Sequence, residues 1–405
     1  MANGATTSSG PDHTPAAADR KPPTVLQVVH SLEAGGVERS CVDTAVATAR
    51  AGATAIVASS GGPLEAELAR AGVEHVAMPL DSRNPLMMRV TVERLSELVR
   101  RRGVDLLHAR SRTAGWAAWR VCEQLGIPFV TTIHAAYDLE NPITRRFSAV
   151  MLRGARIIVT SDFLARYVCE AYPVDPARLR VIPRGIDTAR FAPNGVGADR
   201  LAALAQAWRL PDDVRLVLAP ARLSRAAGLE VLLDALARLR RGDLHCRIVG
   251  TEEGRASYRR ELEHRIERLG LGRTVRLGEH CDDMPAAYVL SNVVVVPSVR
   301  PEGFGRVLIE ALAMGRTVIA SDIGPLPEIV RSSGAGWLVP GGDAAALAGA
   351  LDAALSLDPS ARDRMAARAV AHITERYRVE RMTAATLAVY DEALAGRAAR
   401  RLAPA

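Results

Sequence analysis

From residue 24 onward the chain repeats one unit, a short β-branched run followed by a loop and an amphipathic helical stretch, in two successive series. Such a repeat closes most simply as a parallel sheet with helices on both faces. The first series has strand-like runs at 24–30, 54–59, 106–108, 129–132, 156–160 and 179–182. The second has them at 214–219, 246–249, 274–277, 293–296, 317–320 and 336–339. Helical spacing lies between them, as at 37–51, where Val37, Cys41, Ala45 and Ala49 share one face. The expected fold class is therefore α/β, two facing doubly wound, Rossmann-like domains at 24–190 and 213–375, with a linker at 191–212 and a last amphipathic helix at 376–395. Residues 1–23 lack periodicity and an apolar h-region, so they are expected to be a disordered tail rather than a signal peptide, and 396–405 a second tail. No run of 18 apolar residues occurs, so a cytoplasmic protein is expected, with any membrane contact peripheral.

In doubly wound sheets ligands sit beyond the carboxyl ends of strands, so the loops there carry the functional signal. The strongest follows 293–296: Arg300-Pro301-Glu302-Gly303-Phe304-Gly305, after which the spacing turns helical from Arg306. Glycines at 303 and 305 and the start of a helix make an anion site suited to a phosphate. A carboxylate beside a phosphate would repel it, so Glu302 and Glu310 need another task. Glu310 lies roughly 7 Å along the helix at about 1.5 Å per residue, an offset that suits a ribose held beside a diphosphate. Glu302, in the loop, is placed for hydroxyls of a sugar beyond the phosphates. The bland alternative is two solvent glutamates at the start of an amphipathic helix.

Other strand ends are less specific. Gly35-Gly36 opens the first helix and could approach a phosphate or an acceptor; a tight turn is the other reading, and no dinucleotide fingerprint is present. His108-Ala109-Arg110-Ser111-Arg112 is either a solvated basic loop or an anionic-acceptor site. His134 follows a strand and, read alone, is a structural histidine as readily as a ligand. Gly250-Thr251 ends another strand, and Asp282-Asp283 stands directly before a helix, where an N-cap is the simpler reading than a metal pair. With no Asp-x-Asp at a suitable strand end, no catalytic metal is expected.

Composition narrows the chemistry. Lys21 is the only lysine, which rules out a Schiff-base lysine or a P-loop lysine in the folded part. The net charge of +7 is spread, +4 over 24–190 and +3 over the remainder, and aromatics make up only 4%, so a dedicated nucleic-acid face is not indicated. Five scattered cysteines without Cys-x-x-Cys read as small core residues in a reducing compartment.

Pro301-Glu302-Gly303-Phe304-Gly305 followed by Glu310 resembles the Glu-x7-Glu motif of retaining family 4 glycosyltransferases, which have the GT-B fold. Val181 to Asp187 is similar to that family's Val-Ile-Pro-x-Gly-x-Asp hinge segment. The resemblance covers 24 to about 395 and implies that the last helix crosses back onto the first domain. It implies a nucleoside diphosphate sugar as donor, with no other cofactor, and transfer of a hexosyl group with retention by front-side substitution. Arg222 would stabilise the diphosphate, Glu310 would hold the ribose, and Glu302 with the Gly303 to Gly305 amides would orient the sugar. His134 would face the sugar's far side, and the acceptor would enter over the first domain. One departure stands out: family members usually carry a lysine where this chain has Ala227. Losing such a donor commonly costs on the order of 3 kcal/mol, so either Arg225 substitutes or turnover is weak. The expected acceptor is a cell-envelope polysaccharide, lipopolysaccharide or glycolipid precursor, met at the inner face of the plasma membrane, with Arg110 and Arg112 toward anionic lipid or phosphate. Two alternatives stay open: a non-catalytic sugar-nucleotide binder, separated by binding without turnover, and a nucleotide-sugar epimerase, which needs cleft carboxylates from both domains.

Overall fold

The computed structural model describes residues 21–33, 35–82, 84–137, 141–239, 241–251 and 256–402, so most of the expected N-terminal tail lies outside the described residues. The first series folds as β1 (Thr24–Val28), α1 (Gly36–Arg50), β2 (Thr54–Ser59), α2 (Glu65–Arg70), β3 (Glu74–Ala77), α3 (Pro85–Arg102), β4 (Leu106–Ala109), α4 (Arg112–Leu125), β5 (Phe129–Ile133), α5 (Pro142–Ser148), β6 (Arg156–Val159), α6 (Asp162–Ala171) and β7 (Leu179–Val181). These strands make one parallel sheet, ordered β3-β2-β1-β4-β5-β6-β7. The sequence pattern shows six of the seven. β3 is an edge strand, Glu-His-Val-Ala, paired with β2 alone, and a half-exposed edge has no need of the continuous apolar run that marks a buried parallel strand.

Helix α7 (Ala198–Trp208) occupies the expected linker, and its Leu204 and Trp208 pack on the second core. The second series follows as β8 (Arg215–Pro220), α8 (Leu229–Arg238), β9 (Leu244–Val249), α9 (Ala256–Arg268), β10 (Val275–Leu277), α10 (Met284–Leu290), β11 (Val293–Val296), α11 (Arg306–Ala313), β12 (Thr317–Ser321), α12 (Leu326–Ser333), β13 (Gly336–Val339), α13 (Ala344–Leu355) and α14 (Pro359–Arg376). Its six parallel strands run β10-β9-β8-β11-β12-β13. Both orders reverse direction beside the first strand of the series, at β1/β4 and at β8/β11, and a crevice opens at such a switch point.

The chain then returns to the first domain. Ile186 and Arg378 form a parallel bridge where the two crossing segments meet, with Ile186 N–H donating to the Tyr377 carbonyl at 2.8 Å. Helix α15 (Val379–Leu402) buries Met382, Val389, Tyr390 and Ala393 against Val25, Leu106, Val130 and Ile158. Its end is seven residues later than the tail boundary expected at 395. Glu392 binds Arg156 at 2.7 Å and Arg180 at 2.7 Å, fixing the helix along β6 and β7.

Candidate active site

The loop after β11 leads into α11 through Gly305, whose φ of +98° lies in the left-handed region and whose Cβ, were there one, would stand 2.8 Å from Leu326. Among the described residues no side chain caps this helix, so its first N–H groups and its dipole are left uncompensated. Gly303 has a structural task as well. A Cβ there would collide with the carbonyl oxygen of His134, and Thr160 donates to the Gly303 carbonyl at 3.1 Å, so this glycine lets the two domains touch. Phe304 turns inward and packs against Tyr377 and Leu308; only its backbone is left for a ligand.

The two glutamates share this end of the sheet. Glu302 is half-buried and accepts from the Ser298 hydroxyl. Burial raises its carboxyl above the usual range, against the Ser298 hydrogen bond and the positive charge of Arg222. Glu310 is buried and held from two sides: Tyr288 donates to Oε2 at 3.0 Å and Arg306 Nη2 to Oε1 at 2.7 Å. A carboxylate offers about four acceptor positions, so two remain for vicinal hydroxyls.

The loop after β8 corrects one expectation. Arg225, the presumed stand-in for the absent lysine, ion-pairs with Glu230 at 3.0 Å and with Glu261, and lies over the Tyr258 ring. That commits it to the outer edge by α9. Ala227 packs on the apolar core beneath. Gly250 holds the neighbouring loop in place, because a Cβ there would strike the Ala221 carbonyl. The cation beside Glu310 is Arg306, overlooked in the sequence because it reads as an ordinary first helical residue. Its Cδ would lie 3.0 Å from a Cβ on Gly36, so the side chain spans from Glu310 to the first domain.

On that side, Gly36 is needed to admit arginines: a Cβ would also collide with the Arg184 guanidinium. The turn at Gly35 is covered by Glu38, whose carboxylate would collide with a Cβ there and which pairs with His30 at 3.0 Å. Burial alone would push the Glu38 carboxyl up; the His30 hydrogen bond and the His30 and Arg184 charges outweigh it and hold it low. The start of α1 thus already has a carboxylate, and Gly35 is no open phosphate site.

His134 is buried, and its Nδ1 accepts from Arg184 Nη2 at 3.0 Å. Its Nε2 then carries the proton and has no partner among the described residues. Burial, reinforced by Arg184 and Arg110, holds its pKa well below the usual value, so the ring is neutral. The basic loop after β4 is not solvated. His108 is fully buried and bridges Tyr390 and Thr132, each at 2.7 Å, as a core residue tying down α15. Arg110 is buried against Gln27 and Ser40, and Arg112 reaches Ser148 while lying over Tyr137. Asp283 caps α10 through the Ala286 N–H and pairs with Arg200. Among the described residues, no group of three His, Cys, Asp or Glu is placed to hold a metal.

Two doubly wound parallel sheets, a crossover helix returned to the first, and a glutamate pair about an uncapped helix start define a GT-B glycosyltransferase. The match to known proteins agrees in both halves: residues 34–190 match Glycosyltransferase Family 4, and 202–372 match Glycosyl transferases group 1. The chain belongs to this glycosyltransferase family. It is 32% identical over 313 residues to the D-inositol 3-phosphate glycosyltransferase of Streptomyces bingchenggensis, covering 72% of this chain and 67% of that one. A glycosyltransferase from Rickettsia africae superposes with a TM-score of 0.85 at 28% identity, over 93% of this chain and 99% of that one. The fold is also that of Anabaena HepE, solved in complex with UDP-glucose, at a TM-score of 0.77 and 24% identity over 90% and 99% of the two chains.

Proposed function

We propose that this glycosyltransferase transfers a hexosyl group from a nucleoside diphosphate sugar to a cell-envelope saccharide or glycolipid acceptor, with retention of configuration. The observation that carries the reading is the buried Glu310, held open-edged by Tyr288 and Arg306 on the helix that Glu302's loop leads into, with the Arg222 charge acting on Glu302. In this account Glu310 receives the ribose hydroxyls and the α11 amides receive the diphosphate. Arg222 and Arg306 neutralise the charge that grows there as the sugar leaves. Glu302 and the Nε2 proton of His134 bind hydroxyls on the two sides of the hexose. The acceptor hydroxyl attacks the anomeric carbon from the face the diphosphate departs, and the leaving phosphate takes its proton.

The HepE complex with UDP-glucose supports a nucleotide-sugar donor. The name of the D-inositol 3-phosphate glycosyltransferase relatives supports a phosphorylated polyol as one acceptor class. No metal is required in this scheme, since arginines and the helix dipole supply the positive charge. Among the described residues no helix is long and apolar enough to cross a membrane. Exposed Leu86 and Met87 on α3 and Ile143 on α5, flanked by Arg89, Arg145 and Arg146, support peripheral contact with an anionic inner leaflet. Sedimentation with anionic vesicles tests this: Leu86→Asp with Ile143→Asp should abolish binding. The function itself is tested by screening nucleotide sugars for binding and for donor hydrolysis. Binding with turnover is expected; binding without any turnover would favour a sugar-nucleotide binder.

A further inference from the structure

Apart from the cleft, a groove of about 610 Å³ lies between α3 and α4 on the flank of the first domain. Its α3 wall carries Met88, Val92, Ser96 and Arg100, which follow one another four residues apart and so stand in one line down the helix. At about 1.5 Å per residue that line is roughly 18 Å long. Trp116 and Arg120, again four apart, line the groove from α4, which runs the same way because both helices connect strands of one parallel sheet. The early turns are thus apolar, Met88 and Val92 with Trp116, and the later turns polar and basic. Three arginines, Arg89, Arg100 and Arg120, line the groove against one carboxylate, Glu93. The Arg120–Glu123 pair at 3.1 Å is exposed and uses one of five guanidinium N–H groups. Ser96 is only 6% exposed, yet its hydroxyl has no hydrogen-bond partner among the described residues. Thr91 on the same helix donates to the Met87 carbonyl one turn back, the usual outlet for a helical hydroxyl, and Ser96 does not. A buried hydroxyl left unpaired is costly, and a ligand oxygen in the groove would complete it.

We propose that the groove between α3 and α4 seats one molecule of an anionic phospholipid, with its phosphodiester at Ser96, Arg100 and Arg120 and the first methylenes of its chains along Met88, Val92 and Trp116. The occupant follows from the order of the wall. Guanidinium groups and a hydroxyl donor suit a phosphate oxyanion, and the apolar turns beside them suit acyl chain. The turn of α3 that begins the groove also carries Leu86, Met87 and Val90, all exposed, so the chains run toward the surface already assigned to the membrane. A zwitterionic headgroup would bring its own cation against Arg100 and Arg120, so selection is for net negative charge. The proposal rests on the membrane contact read above and adds a stoichiometric site to it: the exposed patch meets many lipids, whereas the groove holds one. None of its lining residues is among those that meet at the cleft, so this lipid is an anchor and not the sugar acceptor.

The test is calorimetric titration of the full chain with dihexanoylphosphatidylglycerol below its micelle concentration, so that no membrane is present. Dihexanoylphosphatidylcholine, with the same chains and a zwitterionic head, and glycerol 3-phosphate, with no chains, are the comparisons. One phosphatidylglycerol should bind per chain, about tenfold or more tighter than either comparison. Arg100→Gln with Arg120→Gln should weaken it by about tenfold or more and leave the unfolding midpoint unchanged, because both side chains are exposed. Ser96→Ala should weaken it several-fold without lowering the midpoint, since the hydroxyl it removes has no partner in the folded chain. Leu86→Asp with Ile143→Asp should bind the monomeric lipid as the wild type does while no longer sedimenting with anionic vesicles. Equal affinity for the choline lipid, or no loss in the arginine variant, overturns the proposal. Glycerol 3-phosphate binding as tightly as the lipid would make this a free-phosphate site, and several lipids per chain would mean adsorption to the exposed patch; either result overturns it too. A wild type that sediments with vesicles but binds no monomeric lipid refutes the groove alone. One that binds a single lipid but does not sediment refutes the membrane reading and leaves the groove standing.

Discussion

Arg306 and Arg225 separate two accounts of how the enzyme manages without the usual lysine. Arg225 is pinned by Glu230 and Glu261 on the outer edge, so Arg225→Ala should leave donor turnover unchanged. Arg306 lies between Glu310 and the first domain, and Arg306→Leu should lower kcat by about 100-fold or more, the usual effect of losing one such donor. Adding Ala227→Lys to Arg306→Leu should restore much of that loss, and steady-state kinetics on the two variants decide the matter. Buried His108 and His134 make a separate prediction about pH. Both have pKa values lowered by burial, so below about pH 6.5 the unfolded chain takes up protons that the folded chain refuses. Stability should therefore fall as pH drops from 7 to 5.5, by up to about 1.4 kcal/mol per pH unit for each histidine. Denaturant melts of the wild type and His134→Asn check this, the variant showing the shallower slope.

Among the elements, α15 tests how the fold is held. Tyr390 on α15 hydrogen-bonds His108 on β4, and both are buried. Tyr390→Phe should cost about 1–3 kcal/mol, the range for stranding a buried polar group, and should be read as a lower unfolding midpoint with donor affinity intact. How much of this was legible beforehand depends on how local the signal is. The α11 start could be read from Glu302, Gly303, Gly305 and Glu310 because a strand, a glycine turn and a helix lie in sequence. β3 could not, because an edge strand of polar residues carries no apolar run. The direction of Arg225 was hidden because its partner Glu261 is 36 residues away on α9. Arg184, Arg110 and His134 follow β7, β4 and β5, and only the folded sheet brings those three ends together.

For the molecule as a whole, the central claim is that the cleft between the sheets grips a nucleoside diphosphate sugar through Glu310 and the start of α11. The domains meet there through Thr160 on Gly303 and through Glu328, which accepts the Asp162 and Phe163 N–H groups at the start of α6. The most direct measurement is calorimetric titration of UDP, GDP, ADP and dTDP into the wild type and Glu310→Gln. The account predicts that at least one nucleotide binds the wild type and binds Glu310→Gln about tenfold more weakly, roughly 1.4 kcal/mol, with the folded state unchanged. Equal affinity in both proteins, or no binding of any nucleoside diphosphate to the wild type, would contradict it.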